Sequence, residues 1–163
     1  THHRSSAASD VYKRQALFKY VFFPALENFA PEALIIQAGA DMLKDDPLSR
    51  LEITNSCLWT ILSRLTLLAP KVLLTTGGGY NPWSVSRLWT GFWAIINDID
   101  PPAGYTDEAK RLIKSLNWFR NEKVNSSLLS HLRDETVLYP IKDETLNLIK
   151  QMNFIHKSSI QIG

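Results

Sequence analysis

The hydrophobic residues of this chain fall into two patterns, short continuous runs and stripes with helical spacing. Residues 33–37 and 72–74 form short apolar runs of the kind seen in buried parallel strands. Between them, a helical stripe follows Thr54, a favourable N-cap residue. Its members are Cys57, Leu58, Ile61, Leu62, Leu65 and Leu68. This strand, helix, strand order predicts two parallel strands joined by a right-handed crossover, with the first strand buried on both faces.

Helices are predicted on both sides of this unit. Residues 16–29 have a helical apolar face, in which Pro24 should cause a kink or begin a second helix. Asn81 can cap a helix that reaches about Ile96 and is apolar around most of its circumference, so it should be covered on several sides. Three helices are predicted in the tail. Thr106 can cap the first, which reaches about Leu116; the second runs from Ser126 or Ser127 through Arg133, and the third covers residues 143–152. The fold class is therefore α/β, with two strands, flanking helices and a helical tail.

Composition limits the possible functions. The chain has 163 residues, of which 45% are hydrophobic, enough for one domain or part of a larger one. No apolar run is long enough to span a membrane. A single cysteine fits a reducing cytoplasm, and we expect a cytoplasmic protein. The net charge of +2 comes from residues 1–15, without which 15 basic residues balance 15 acidic ones. We therefore expect neither a nucleic-acid nor a membrane partner.

The first fifteen residues look foreign to the rest. Residues 10–15, Asp-Val-Tyr-Lys-Arg-Gln, resemble a translated transposon-end adapter from sequencing-library preparation, and residues 1–9 have no apolar periodicity. We interpret residues 1–15 as an assembly scar and residues 16–163 as the C-terminal portion of a single domain. A natural N-terminal extension is the alternative.

Two polar residues lie just after the predicted strands. Asp41 follows the first strand, and Tyr80 follows the second after Gly77–Gly79. Parallel strands end at the same edge of a sheet, where ligands often bind, so the two loops should converge. From the residues alone, the simpler interpretation is that Asp41 is a turn residue, Tyr80 covers the sheet edge and the glycines form a tight corner.

The sequence gives little support to a nucleotide-binding loop or to a catalytic cysteine or histidine. The glycines lack the Gly-Lys-Ser/Thr ending of a phosphate loop and the third glycine of a dinucleotide loop. Cys57 lies in the apolar stripe and should pack as a small hydrophobe. His131 and His156 lie in the tail and are expected at the surface. These residues do not assemble a complete active site.

Three ordered motifs are similar to those of a known family. Gln-Ala-Gly-Ala-Asp at 37–41, Asp-Pro-Leu at 46–48 and Gly-Gly-Gly-Tyr-Asn at 77–81 resemble C-terminal motifs of the zinc-dependent histone deacetylase superfamily. The continuation over residues 82–89 looks most like the bacterial branch that includes acetoin utilization proteins. The resemblance runs from about Ala16 to Asn97, and it implies the C-terminal part of a parallel-sheet domain of the arginase/deacetylase type.

The resemblance implies roles for five residues. Asp41 matches a zinc ligand, and Tyr80 matches the tyrosine that hydrogen-bonds the substrate carbonyl as it becomes an oxyanion. Gly78 and Gly79 match the wall of the narrow channel for the acylated side chain, and Leu48 matches an apolar residue near that channel. The implied substrate is an acetylated lysine, an acetylpolyamine or a related small-molecule amide. The implied cofactor is zinc, with ferrous iron as an alternative.

Two departures limit this expectation. Thr76 stands where many members have the first of four glycines. More seriously, the family's paired-histidine base and its Asp-x-His segment with two further zinc ligands have no counterpart in the region of resemblance. An isolated pair of parallel strands also leaves both edges open. We therefore expect an inactive C-terminal fragment of a deacetylase. The alternative is a non-catalytic remnant that acts as a binding module. The sequence sets no oligomeric state.

Overall fold

A computed structural model describes residues 13–48, 51–118, 124–135, 141 and 143–160. Residues 13–17 are helical and lead into a π-helical turn, α1. The elements in chain order are α1 (Phe18–Phe22), α2 (Phe23–Phe29), β1 (Leu34–Ala38), α3 (Asn55–Leu65), β2 (Val72–Thr76), α4 (Pro82–Ile96), α5 (Asp107–Ser115), α6 (Ser126–Ser130) and α7 (Asp143–Ile160). The predicted α/β class with a helical tail is confirmed.

The two strands pair in parallel, as predicted. Their register runs from Leu34 opposite Val72 to Ala38 opposite Thr76. One face of the pair packs on the helices. On the other face Ile35 is 71% exposed and its cross-strand neighbour Leu73 is exposed as well. The prediction that the first strand is buried on both faces is therefore wrong for the described residues, which leave this face open to solvent.

Helices α3 and α4 form the core with the covered face of the sheet. The predicted caps are present. The Thr54 hydroxyl accepts the Cys57 N–H at 3.3 Å, and the Asn81 side-chain oxygen accepts the Trp83 and Ser84 N–H groups at 3.0 and 3.3 Å. The helices approach closely at Gly91, where a Cβ would overlap the indole of Trp59.

Coverage of α4 differs from the expectation. Its buried side chains include Trp83, Leu88 and Phe92, but Trp93 and Ile96 are exposed. Within the described residues, α4 thus packs through one broad face instead of being covered on several sides. Apolar residues around a helix favour burial on several sides, and the described elements cover only one side of α4.

The N-terminal helices follow the proline signal. Pro24 lies in the first turn of α2, but the backbone is helical on both sides of the α1–α2 junction. Pro24 therefore marks a change of helix type within one continuous helical segment and does not begin a separate second helix. Proline lacks an N–H donor, which accounts for an irregular π-helical turn immediately before it. Residues 13–15 of the segment interpreted as foreign continue this helix, while residues 1–12 lie outside the described residues.

The tail helices agree with the sequence in their starts and differ in their ends. Helix α5 begins after the Thr106 cap as predicted. Helix α6 ends at Ser130 instead of Arg133, and α7 reaches Ile160 instead of residue 152. The early end of α6 has a tertiary cause, since residues 131–134 leave the helix to bond with α3 and α4. None of the described helices is both long and apolar enough to cross a membrane.

A buried polar network joins the tail to the core. The Asp134 carboxylate accepts the Asn55 N–H at 2.8 Å and pairs with Arg87 at 2.5 Å. Asn55 accepts the Asp134 N–H at 2.9 Å and donates its amide to the Leu132 carbonyl at 2.7 Å. Arg87 also donates to the His131 carbonyl at 2.9 Å. Because the Arg87 side chain is only 3% exposed, the Asp134 carboxylate offsets the cost of burying its guanidinium.

We expect the Asp134→Ala substitution to be strongly destabilising. It leaves the buried guanidinium of Arg87 without its carboxylate, which typically costs about 3 kcal/mol or more. The free energy of unfolding from urea titration measures this loss. Asp100→Ala is the matched control because Asp100 also pairs with an arginine, Arg133 at 3.0 Å, but its side chain is 90% exposed. The control should cost less than about 1 kcal/mol. Equal losses in the two variants would contradict a special role for the buried pair.

Candidate active site

The ends of the two strands deliver two loops to one edge of the sheet. Because Ala38 is opposite Thr76, residues 39–41 and 77–80 leave the sheet side by side. The Ala40 N–H donates to the Gly78 carbonyl at 2.6 Å, which joins the loops directly. The predicted convergence of the loops that carry Asp41 and Tyr80 is thus observed.

Glycines surround the Asp41 carboxylate. A Cβ added to Gly39 would lie 2.6 Å from Asp41 Oδ1, and one added to Gly78 would overlap Asp41 Oδ2 and Cγ. Any larger residue at 78 would therefore displace the Asp41 side chain. In the structure, Gly78 leaves room for the Asp41 carboxylate. Its predicted role as a channel wall stays a prediction.

Gly79 has a different requirement. Its φ is +147°, a conformation that residues with a side chain rarely adopt. An added Cβ would also meet Val85 at 2.7 Å and Ala40 at 2.9 Å. Gly79 therefore allows the chain to turn between the loop and the start of α4, just before Tyr80.

Tyr80 presents its ring to solvent, with the residue 51% exposed. Its backbone is held more firmly than its side chain, because the Tyr80 N–H donates to Asp46 Oδ2 at 2.6 Å. The next residue, Asn81, is buried and donates its side-chain amide to the Asp45 carbonyl at 2.7 Å. Leu48 is exposed on the same loop as Asp46. The catalytic role of Tyr80 and the channel role of Leu48 stay predictions.

Sequence reasoning missed the contribution of Asp46. An Asp-Pro pair such as Asp46-Pro47 is a turn signal in any sequence, and Asp46 Oδ1 does accept the Leu48 N–H at 2.9 Å, as a turn residue would. The second bond, to Tyr80, spans 34 residues. The burial of Asp46, which is only 5% exposed, distinguishes it from an ordinary turn aspartate, and burial is not visible in the sequence.

A metal ion needs more ligands than these loops supply. Among the described residues, no group of three or more His, Cys, Asp or Glu side chains is placed to hold a metal. Asp41 can provide one carboxylate, and a protein-bound zinc ion normally has three or four protein ligands. Among the described residues at this edge of the sheet, Asp41 is therefore one candidate ligand and not a complete metal site.

Cys57 is part of the core, as predicted. It is fully buried in α3, and burial raises the pKa of its thiol from 9.0 to about 11, although Arg14 and Gln15 partly oppose this. The thiol is therefore protonated near neutral pH and unreactive as a nucleophile. This excludes Cys57 as the nucleophile of a covalent mechanism.

The chain is similar to proteins of one known family. The histone deacetylase domain family matches residues 5–96, more than half of the chain and the part that contains both strands, both loops and α4. The chain belongs to the histone deacetylase family. The matched range begins within residues 1–15, whose foreign origin stays a prediction.

Two curated relatives illustrate the similarity. A probable histone deacetylase 1-B of Xenopus laevis is 32% identical over 88 residues, which cover 54% of this chain and 18% of the relative. The acetoin utilization protein AcuC of Staphylococcus aureus is 32% identical over 118 residues, which cover 69% of this chain and 28% of the relative. The chain thus spans less than a third of the length of either relative.

A solved structure supports the fold assignment. The crystal structure of a histone deacetylase homologue from Aquifex aeolicus superposes with a TM-score of 0.64 at 25% identity. The match covers 88% of this chain and 37% of the homologue. The small parallel sheet and its flanking helices therefore have the deacetylase-type α/β fold.

We expect Gly78→Ala to disturb the loop edge. The new methyl group must displace the Asp41 carboxylate, which is the end of a half-buried side chain. We therefore expect a cost of about 1 kcal/mol, the lower end of the range for overpacking. Urea titration measures the cost. Gly104→Ala is the matched control, because a Cβ at Gly104 would meet nothing within 4 Å. A Gly78→Ala variant as stable as the Gly104→Ala variant would contradict the tight packing of Asp41 against Gly78.

The buried thiol predicts a loss of stability in alkali. A pKa that is raised in the folded state contributes stability that is present below the unfolded value of 9.0 and is lost as pH rises towards 11. By linkage, this loss amounts to about 2 kcal/mol near pH 10.5. Urea titrations at about pH 8 and 10.5 measure it. Cys57→Ala supplies the comparison, since its stability should fall less over this interval. A parallel fall in the two proteins would show that Cys57 does not titrate as stated.

Proposed function

We propose that this chain supplies part of the active site of a zinc-dependent deacetylase. The reaction is hydrolysis of an N-acetyl amide on a lysine side chain, a polyamine or a related small molecule. The observation that supports the proposal best is the meeting of the Asp41 and Tyr80 loops at one sheet edge, joined by the Ala40 to Gly78 bond at 2.6 Å. Membership of the histone deacetylase family supplies the reaction class.

Tyr80 has the chemistry of an oxyanion donor. During amide hydrolysis the carbonyl oxygen gains negative charge, and a fixed O–H donor aimed at it stabilises the transition state more than the substrate. Tyr80 is half-exposed at the sheet edge, and in this proposal its hydroxyl faces the bound substrate. In this proposal Gly78, Gly79 and Leu48 line the approach of the acylated chain.

Asp41 is proposed as one ligand of the metal. Its carboxylate is an oxygen donor of the type that zinc and ferrous iron both accept. The remaining ligands and the general base must come from beyond the described residues, because these hold no cluster of three candidate ligands. We therefore propose that the 163-residue chain by itself neither retains zinc nor deacetylates.

Substitution of Tyr80 in the complete coding sequence tests the mechanism. Tyr80→Phe removes only the hydroxyl, so the purified variant should keep its metal content while kcat falls by roughly 10²–10³, as for loss of other oxyanion donors. Steady-state hydrolysis of an acetyl-lysine peptide and elemental analysis measure the two quantities.

The matched control is Tyr105→Phe. Tyr105 also donates its hydroxyl, to the Leu128 carbonyl at 3.0 Å, but it lies in the tail. This variant should lose some stability and keep its turnover. Unchanged kcat in Tyr80→Phe would remove Tyr80 from the mechanism. A complete protein that binds no metal and hydrolyses no acetyl amide would favour the non-catalytic binding module instead.

A further inference from the structure

Asp46 has more hydrogen bonds than a turn requires. Both carboxylate oxygens are used, Oδ1 for the Leu48 N–H at 2.9 Å and Oδ2 for the Tyr80 N–H at 2.6 Å. A buried carboxylate is costly unless hydrogen bonds replace its hydration, and these two do so. The bond to Leu48 shapes the local turn, whereas the bond to Tyr80 fixes the other loop.

Asn81 adds a second hydrogen bond between the two loops, this time from its own side chain to the backbone of residue 45. Its side-chain amide donates to the Asp45 carbonyl at 2.7 Å, while its side-chain oxygen caps α4. Residues 45–46 and 80–81 are therefore joined twice, once in each direction, at a buried position. We call the side chains of Asp46 and Asn81 the loop clamp. It holds the backbone of Tyr80 against both the first loop and the start of α4.

Among the described residues, Tyr80 does not belong to the hydrophobic clusters of the core, and it is half-exposed. The direction in which the side chain leaves the backbone is therefore fixed mainly by the hydrogen bonds around its peptide group. A hydroxyl that must meet a developing charge at hydrogen-bond distance is sensitive to errors of about 1 Å.

We propose that Asp46 is a positioning residue for Tyr80, acting through the Tyr80 backbone, with Asn81 as the second member of the loop clamp. This inference rests on the proposed function, in which the Tyr80 hydroxyl stabilises the oxyanion. Loss of the loop clamp would retain the Tyr80 hydroxyl but move it away from the position where it meets the developing charge. The effect should then appear in kcat, with KM little changed, because the contact is made in the transition state.

The test is a double-mutant cycle in the complete enzyme. Asp46→Asn keeps the shape of the side chain and replaces one acceptor oxygen by a donor that faces an N–H group. In the Tyr80 background, kcat should fall by about 10–100-fold, the range expected for a displacement of about 1 Å. In a Tyr80→Phe background the same substitution should change kcat by less than about threefold, since the group that it positions is already absent.

Asp45→Asn is the matched control. It removes the same charge from the neighbouring residue and retains the Asp45 backbone carbonyl that the clamp uses, so kcat should stay within about twofold. Asn81→Asp is a second variant for the case in which Asp46→Asn does not fold. It keeps the oxygen that caps α4 and loses the amide that donates to Asp45, and it should reproduce the fall in kcat.

Each result decides between named possibilities. A fall in kcat that is present with Tyr80 and absent with Phe at position 80 supports positioning. Equal falls in both backgrounds, or a fall no larger than that of Asp45→Asn, overturn the positioning role and leave the proposed function intact. A Tyr80→Phe enzyme with full turnover overturns the catalytic role of Tyr80 and the positioning role together.

Discussion

The site exists because glycine occupies the positions where two backbones touch. A Cβ at Gly77 would lie 2.8 Å from Gly39 Cα and 2.9 Å from Gly39 N. No side chain fits there unless the two loops move apart, and separation would break the Ala40 to Gly78 bond. The positions of Asp41 and Tyr80 therefore depend first on the lack of side chains at Gly39 and Gly77. Hydrogen bonds stabilise a geometry that sterics have already allowed.

The sequence was sufficient to predict the elements that follow from local chemistry. Thr54, Asn81 and Thr106 were predicted as caps and each accepts backbone N–H groups at the start of its helix. Parallel pairing followed from the strand, helix, strand order, and the meeting of the Asp41 and Tyr80 loops followed from parallel pairing. These inferences succeeded because propensity, capping and topology agree over this part of the chain.

The failures concern interactions between residues far apart in sequence. Helix α6 was predicted to continue through Arg133, since nothing local stops it, but residues 131–134 bond instead to Asn55 and Arg87. The bond from Asp46 to the Tyr80 N–H was not predicted, because an Asp-Pro pair indicates a local turn and does not reveal a partner 34 residues away. The outward exposure of Ile35 was also unforeseen, because an apolar run shows which residues favour burial and not whether a neighbour is present.

The exposed sheet face and the isolated Asp41 carboxylate have a common explanation under the proposed function. Ile35 and Leu73 lie side by side on the uncovered face, and Asp41 at the end of the same sheet lacks companion ligands among the described residues. Under the proposed function, further strands and loops of a larger domain would satisfy both needs, by covering the face and by bringing ligands to the edge. The loop clamp and the glycines need no such addition, because every bond they use lies within residues 39–84. The described residues therefore hold the Tyr80 backbone and leave room for the Asp41 carboxylate without those elements. Under the proposed function, the donor and the ligand would then be in place before the rest of the site is added.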